Sequence, residues 1–299
     1  MRSSLRPTLR AAARSALAAG LLTVTAATVA LAAPTASALG FSNGTVATPN
    51  IPRCEPDIVV LVPGGGNTVP GLPDNFPVGA YISDLGAMVE KPGRSTSRTV
   101  SYNAAPFVAT AYTESRSDGI AKARKLVAKT AAQCPSSTIS LAGYSLGADI
   151  ASRVTADIAH GRGPVDADRF GSTALLSNPS RSPETVVAGS ATRGEGVFGA
   201  LPGGYGKLTG RVMDVCNQRD YICNSTGRTD NTRGHAEAFT EVAVANRDVA
   251  TVAAMEPGEA ARLAAEVPFD LVPGQAAHAT SYGGSGGVNP AFGFLRKHF

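Results

Sequence analysis

The chain has 299 residues, with 27 basic and 23 acidic side chains. Four of the basic residues, all Arg, fall within the first 38 residues, which contain no acidic residue, so the remainder has no excess of positive charge. A nucleic-acid-binding protein needs a basic face in its working chain, and the composition argues against such a partner. The four Cys form no Cys-x-x-Cys pair and the four His are scattered, which argues against a metal site.

Residues 1–38 have the pattern of an export signal. A stretch with four Arg precedes the apolar or small residues 16–33, and Ala36-Ser37-Ala38 offers an A-x-A cleavage site. A cut after Ala32 is the alternative, and a membrane anchor is the other interpretation of the apolar run, although its Thr and Gly residues favour a cleaved signal. We therefore expect a secreted, soluble, monomeric chain with no later membrane span and no lipid-attachment Cys in its signal.

Strands and helices alternate along the rest of the chain. Residues 39–53 are rich in Ser, Thr, Asn, Gly and Pro and predict an exposed N-terminal arm. Apolar or β-branched runs predict five strands, at 58–62, 98–102, 138–142, 173–177 and 211–215. Helical patterns lie at 76–90, 118–133 and 148–160, whereas 178–207 reads as a loop. This alternation predicts an α/β fold, with a central parallel five-stranded sheet flanked by helices.

The cysteines fit two disulfides, as an even number in an exported chain suggests. Cys54 and Cys134 each lie four residues before a predicted strand, and therefore at the same end of a parallel sheet. If those two strands are neighbours, the Cα atoms come within reach of a disulfide. We expect the pairs Cys54–Cys134 and Cys216–Cys223, the second of which closes a small loop after the fifth strand.

The motif Gly-x-Ser-x-Gly occurs three times, around Ser42, Ser145 and Ser285. In α/β-hydrolases this motif is the nucleophile elbow, a sharp turn that needs a strand before it and a helix after it. Only Ser145 has that context, because Ser42 lies in the polar arm and Ser285 in a Gly-rich loop. The motif therefore predicts an α/β-hydrolase with Ser145 as its nucleophile, and we interpret the other two serines as linker residues.

A serine nucleophile needs a base that is itself oriented by an acid, and in this fold the chain order is Ser, acid, His. Asp220 follows the fifth strand, inside the loop between the last two Cys, where a disulfide would hold its carboxylate. Asp214 is the rival, but it lies within the strand.

Four histidines compete for the role of base. His160 precedes the acid and more naturally caps a helix end, and His298 adjoins the terminus. His235, at the start of an Ala-rich segment, and His278, in a Gly-rich loop before the last helix, remain open on the residues alone.

Three separated motifs resemble the cutinase family of small secreted esterases. They are Cys134-Pro135 leading to Gly143-Tyr144-Ser145-Leu146-Gly147-Ala148, the loop Cys216-Asn217-Gln218-Arg219-Asp220-Tyr221-Ile222-Cys223, and His278-Ala279-Thr280-Ser281-Tyr282-Gly283 before an apolar terminal helix at 290–295. The resemblance runs from about Cys54 to Phe299. It implies Asp220 as the catalytic acid, His278 rather than His235 as the base, and no metal or cofactor. It also implies esters of fatty acids, cutin-like polyesters or acetylated polysaccharides as substrates.

The sequence departs from that family in two places. Cys223 and His278 are 55 positions apart, where the family has a very short link. The extra residues 224–277, with amphipathic helices predicted at 235–266, predict a lid or one wall of an acyl pocket and a preference for longer acyl chains; a surface decoration is the alternative.

The second departure concerns the oxyanion hole, which we expect to use the N–H groups of Leu146 and Gly66. The family has a Ser at position 66 whose hydroxyl also donates, and Asn67 is a substitute for that contact.

These patterns together predict a secreted serine esterase that acts on a lipid or polyester substrate through an acyl-enzyme. Two alternatives stay open from the sequence. A secreted acyltransferase would use the same triad with a different acceptor, and a non-catalytic cell-surface binding protein would keep only the hydrolase scaffold.

Overall fold

The computed structural model describes residues 53–76, 78–105, 110–189, 194–224 and 276–299. The predicted signal at 1–38, nearly all of the predicted arm at 39–53 and almost the whole of the predicted insertion, with His235, lie outside the described residues.

The central sheet is entirely parallel, as the sequence predicted. Its strands are β1 (Asp57–Val62), β2 (Ser95–Thr99), β3 (Thr138–Tyr144), β4 (Phe170–Leu176), β5 (Val186–Ala188) and β6 (Val212–Val215). Their spatial order is β2-β1-β3-β4-β6-β5. Five of the six described strands overlap predicted ones, although β2 begins three residues before the predicted segment 98–102 and ends at Thr99. The sixth, β5, is a three-residue edge strand within the segment predicted as a loop, too short to give a periodic signal.

Helices cover both faces of the sheet. These helices are α1 (Ala80–Val89), α2 (Tyr112–Gln133), α3 (Leu146–Ala159) and α4 (Val288–Arg296). In β1, Val60 and Val62 pack into the cluster that includes α2 and α3, whereas Val59 and Leu61 pack into the cluster that includes α1 and α4. Every residue of β1 is buried, which explains its continuous apolar run.

The strand order reverses between β1 and β3, because β2 lies outside β1 while β4 to β6 lie beyond β3. In open α/β sheets, ligands bind at the carboxyl edge of the strands beside such a reversal. The loop at 63–67 follows β1, and Ser145 follows β3. The fold therefore brings the loop with Gly66 and the predicted nucleophile to the same edge.

Two disulfides join the predicted cysteine pairs. Cys54 and Cys134 have Cα atoms 5.3 Å apart, and they tie together the segments that enter β1 and β3, whose first residues pair in register. Cys216 and Cys223 have Cα atoms 5.9 Å apart and close the loop that follows β6. In the ranges that the structure describes, no helix has the length and apolar character needed to cross a membrane.

Candidate active site

Ser145 lies on a strained turn between β3 and α3. Its φ of 56° falls in the left-handed region, which a residue with a side chain rarely adopts. A Cβ added to Gly143 would lie 2.3 Å from the carbonyl oxygen of Gly147, and one added to Gly147 would lie 2.1 Å from that of Val62. Both glycines of the motif are therefore required, because the elbow packs directly on its own backbone and on the end of β1.

Ser145, the predicted nucleophile, precedes the N-terminus of a helix. Helix α3 begins at Leu146, and the first N–H groups of a helix have no acceptor within it. The aligned peptide dipoles also place partial positive charge there, which favours an anion. The N–H of Leu146 is thus well located to receive negative charge that develops next to Ser145.

Three side chains from distant parts of the chain meet at this edge. Nε2 of His278 lies 2.9 Å from Oγ of Ser145. Nδ1 of His278 lies 3.1 Å from Oδ2 and 3.2 Å from Oδ1 of Asp220. An ionised carboxylate only accepts hydrogen bonds, so Nδ1 carries the proton and Nε2 is left to accept one from Ser145. This is the arrangement that activates a serine hydroxyl.

The carboxylate of Asp220 is fully buried but well supplied with donors. Oδ2 accepts from the hydroxyls of Ser177 and Tyr282, both at 2.5 Å, and Oδ1 accepts from the N–H of Ile222 at 3.0 Å. Burial alone would raise the pKa of Asp220, but the facing ring of His278 and the hydrogen bonds from His278, Ser177 and Tyr282 outweigh it and hold the pKa below its ordinary value. Asp220 is therefore ionised at neutral pH.

His278 is held by aromatic neighbours. It lies on a helical turn at 276–280 rather than in the expected loop, and it is 8% exposed. The ring of Tyr144 stacks on its imidazole, and the Tyr144 hydroxyl donates to its carbonyl oxygen at 2.7 Å. The hydroxyl of Tyr81 donates to the next carbonyl, that of Ala279. These contacts fix both the ring and the backbone of the histidine.

The rival residues do not reach this cluster. Asp214 is buried in β6, where it accepts from Asn178 and Thr185. His160 follows α3 and contacts the carbonyl of Gly203 at 3.1 Å, consistent with a helix-end role.

Two other rivals, His298 and Ser285, lie near the C-terminus. His298 contacts the Phe294 carbonyl at 3.0 Å. Ser285 lies in an exposed 3₁₀ turn, Gly284–Gly286, and residues 276–283 directly before that turn include no strand.

The loop after β1 differs from the expected oxyanion site. Gly66 has a φ of 73°, and its N–H donates to the carbonyl of Ala104. The Gly66 N–H therefore already has a hydrogen-bond acceptor in the structure, the carbonyl of Ala104. Its predicted role requires that bond to break when substrate binds, and so it stays a prediction. Asn67 uses its own N–H to donate to the carbonyl of Gly64 at 3.1 Å.

Two residues that contact Asp220 received no site role from the sequence. Tyr282 is fully buried, and burial raises its pKa well above the ordinary value, so its phenol stays protonated and donates to Asp220. Ser177 ends the run that predicted the fourth strand, and it is the second non-glycine residue with positive φ in the described ranges, at 52°. A Ser directly after a buried strand, in a fold whose site residues follow strands, is the signal that could have found it.

The described residues contain no group of three or more His, Cys, Asp or Glu placed to hold a metal ion.

The fold and the contacts of Ser145, His278 and Asp220 define the class: the protein is an α/β-hydrolase with its site at the carboxyl edge of a parallel sheet. The family model for Cutinase matches residues 54–249, about two thirds of the chain. The chain belongs to the cutinase family. The matched range includes Ser145 and Asp220, and His278 lies beyond its end.

Two curated relatives carry esterase names. The chain is 28% identical over 154 residues to the carboxylesterase Culp6 homolog of Corynebacterium glutamicum, covering 43% of this chain and 48% of that protein. It is 30% identical over 189 residues to a cutinase of Kineococcus radiotolerans, covering 61% of this chain and 55% of that protein. The chain thus spans about half the length of these relatives. Among solved structures, lysin B from Mycobacteriophage D29 aligns with a TM-score of 0.54 and 18% identity over 81% of this chain and 100% of that one, a likeness of fold.

Proposed function

We propose that this protein is a secreted serine esterase that hydrolyses carboxylic esters through an acyl-enzyme on Ser145. The observation that carries the proposal is the 2.9 Å contact between Oγ of Ser145 and Nε2 of His278, at the carboxyl edge of a parallel sheet. Family membership and the names of the relatives support ester chemistry.

The first half of the reaction forms the acyl-enzyme. Nε2 of His278 takes the hydroxyl proton as Oγ of Ser145 bonds to the ester carbonyl carbon, and Asp220 stabilises the imidazolium that results. The N–H of Leu146 stabilises the oxyanion of the tetrahedral intermediate. The intermediate collapses as the C–O bond to the alcohol breaks, and His278 returns its proton to the leaving alcohol.

The second half regenerates the enzyme. A water molecule gives a proton to His278 and its oxygen attacks the acyl carbon on Ser145. A second tetrahedral intermediate then collapses, the bond to Oγ breaks, and the proton returns to Ser145. The carboxylic acid leaves, and no metal or organic cofactor takes part in any step.

We propose a lipid or polyester as the ester substrate, with a preference for longer acyl chains. Each buried methylene of an acyl chain contributes about 0.8 kcal/mol when a pocket accepts it. Rates of hydrolysis across p-nitrophenyl esters from acetate to palmitate measure this directly. A rise in kcat/KM with chain length supports the preference, and a flat series contradicts it.

The mechanism is tested with the same esters and four variants. Ser145→Ala and His278→Ala should each lower kcat by several orders of magnitude, about 10³-fold or more, because each removes a reacting group. Ser285→Ala, which changes the serine of another Gly-x-Ser-x-Gly motif, and Asp214→Asn, which changes the rival carboxylate, should keep near wild-type kcat. Activity that survives Ser145→Ala contradicts the proposal.

Secretion is supported by the two disulfides, because such bonds persist in oxidising compartments. Expression of the full chain in a secreting host tests it. We expect esterase activity in the medium and a mature N-terminus near residue 33 or 39. Retention of the intact, uncleaved chain in the cell membrane would overturn this part of the proposal.

A further inference from the structure

Ser177 lies between the acid and the base of the site. Its Oγ is 2.5 Å from Oδ2 of Asp220 and 2.8 Å from Nδ1 of His278. Both distances are shorter than the direct contacts from Nδ1 to the two carboxylate oxygens, at 3.1 and 3.2 Å. The hydroxyl thus lies closer to each partner than the partners lie to each other.

The direction of these bonds follows from the chemistry of the groups. The ionised carboxylate of Asp220 only accepts, so the hydroxyl proton of Ser177 is donated to Oδ2. The oxygen of the same hydroxyl then accepts from the N–H at Nδ1 of His278. The negative end of the hydroxyl dipole faces the imidazole, where it stabilises the positive charge that forms during reaction.

The backbone places the hydroxyl there at a conformational cost. Ser177 is fully buried, directly after β4, with a φ of 52°. Its N–H donates to the carbonyl of Val215 at 2.9 Å, which ties this turn to the end of β6. Residues held in sparsely populated backbone conformations are over-represented at functional sites, and the other such non-glycine residue in the described ranges is Ser145 itself.

We infer that Ser177 is a positioning residue of the esterase site, whose hydroxyl bridges Asp220 and His278 and holds the imidazole toward Ser145. This inference rests on the proposed function. Ser177 touches neither Oγ of Ser145 nor the substrate-facing Nε2 in any contact described, so it acts through the acid and the base. The sequence motifs assign no role to it.

Two substitutions of Ser177 separate the effect of its hydroxyl from the effect of its backbone conformation. Ser177→Gly removes the hydroxyl and suits a positive φ, because glycine adopts that region freely. Ser177→Ala removes the hydroxyl and keeps the strained Cβ. Ser172→Ala is the matched control, because Ser172 is also fully buried on β4 and its hydroxyl has no hydrogen-bond partner among the described residues.

Hydrolysis of p-nitrophenyl butyrate and thermal unfolding are measured for each variant. Both Ser177 variants should lose about 10- to 100-fold in kcat with KM within about twofold, since a misplaced base costs catalysis more than binding. Ser172→Ala should match wild type. Ser177→Gly should unfold at a higher temperature than Ser177→Ala, because both lose the same hydroxyl and only glycine suits the positive φ. A Ser177→Gly enzyme with wild-type kcat would mean that the residue supplies only backbone shape, and would overturn the inference.

A double-mutant cycle with Asp220→Ala adds a readout that a purely structural role would not move. Because the hydroxyl bridges Asp220 and His278, the losses in kcat caused by Ser177→Gly and by Asp220→Ala should not add in full. The full loss in both backgrounds contradicts the inference.

Failure of the proposed function is distinguishable from failure of this inference. If the proposed function fails, the wild type itself neither turns over the ester nor reacts with a fluorophosphonate at Ser145, and both proposals fall. An active wild type with active Ser177 variants removes the inference alone.

Discussion

The ring of Tyr144 stacks on the imidazole of His278, with centroids 5.2 Å apart and planes 24° apart. Tyr144 immediately precedes the nucleophile, and its hydroxyl also donates to the carbonyl oxygen of His278 at 2.7 Å. The residue next to Ser145 therefore holds the ring and the backbone of His278, the proposed base, 134 positions later in the chain. The elbow and the histidine turn are coupled by one side chain.

This contact leads to a graded prediction. Tyr144→Phe keeps the ring over His278 and loses one hydrogen bond, a change of about 1 kcal/mol, so kcat should fall only a few fold. Tyr144→Ala loses both contacts, and kcat should fall about 100-fold because the base is no longer held. Steady-state kinetics on a p-nitrophenyl ester measure both. Near wild-type kcat in Tyr144→Ala would show that the histidine is positioned by other groups.

We expect one disulfide to matter more for the free energy of unfolding and the other to matter more for activity. Cys54–Cys134 spans 80 positions and Cys216–Cys223 spans 7. Loop entropy predicts losses of about 4.5 and about 2.5 kcal/mol when each pair is changed to Ser. Activity should follow the opposite order, because Asp220 lies inside the shorter loop. Urea unfolding and kcat of the folded variants test this, and a larger loss of kcat without Cys54–Cys134 would contradict it.

The elbow glycines should tolerate no side chain. Gly147→Ala places a Cβ against the carbonyl oxygens of Val62 and Pro63, so it should destabilise the fold by several kcal/mol or abolish it, with loss of activity. Gly293→Ala is the control, since a Cβ at that position in α4 meets nothing within 4 Å. It should raise stability by about 0.5–1 kcal/mol through helix propensity. Equal melting temperatures for the two variants would refute the packing argument.

Asp214 should make the protein less stable as the pH rises. Burial raises the pKa of Asp214 from 3.8 to about 6, despite hydrogen bonds from Thr185 and Asn178. A folded pKa above the unfolded one means that stability present at low pH is lost as the pH rises from about 4 through about 6. The penalty above that window is about 3 kcal/mol.

Asp214→Asn removes this titration with little change of shape. The N–H of the new amide can donate to the Thr185 hydroxyl oxygen, while the Thr185 hydroxyl donates its own proton to the Ser182 carbonyl. The gain in unfolding free energy should be larger at pH 8 than at pH 4, by roughly 2–3 kcal/mol. An equal effect of Asp214→Asn at the two pH values would argue against a raised pKa at this site.

The sequence was sufficient for the elements with strong periodic or motif signals. The continuous apolar run of β1 predicted a strand buried on both faces, and the strand–Gly-x-Ser-x-Gly–helix order singled out Ser145 from three serines. The equal offsets of Cys54 and Cys134 from their strands predicted that pair, because parallel neighbours share an edge.

Other features depend on three-dimensional contacts that leave no local pattern. The short strand β5 has too few residues for periodicity, and its pairing with β6 is a tertiary event. The sequence shows only that Ser177 follows a buried strand, and its positive φ and its contacts with Asp220 and His278 are what give it a role. The engagement of the Gly66 N–H by Ala104 likewise depends on how two loops meet.

Covalent labelling shows whether Ser145 is the nucleophile. The protein is treated with a fluorophosphonate, digested, and mapped by mass spectrometry. We expect one adduct per chain, on the peptide with Ser145. This adduct should be absent in Ser145→Ala and should form much more slowly in His278→Ala. An adduct on another serine, such as Ser177 or Ser285, or no adduct in a folded wild type that hydrolyses esters, would contradict the account.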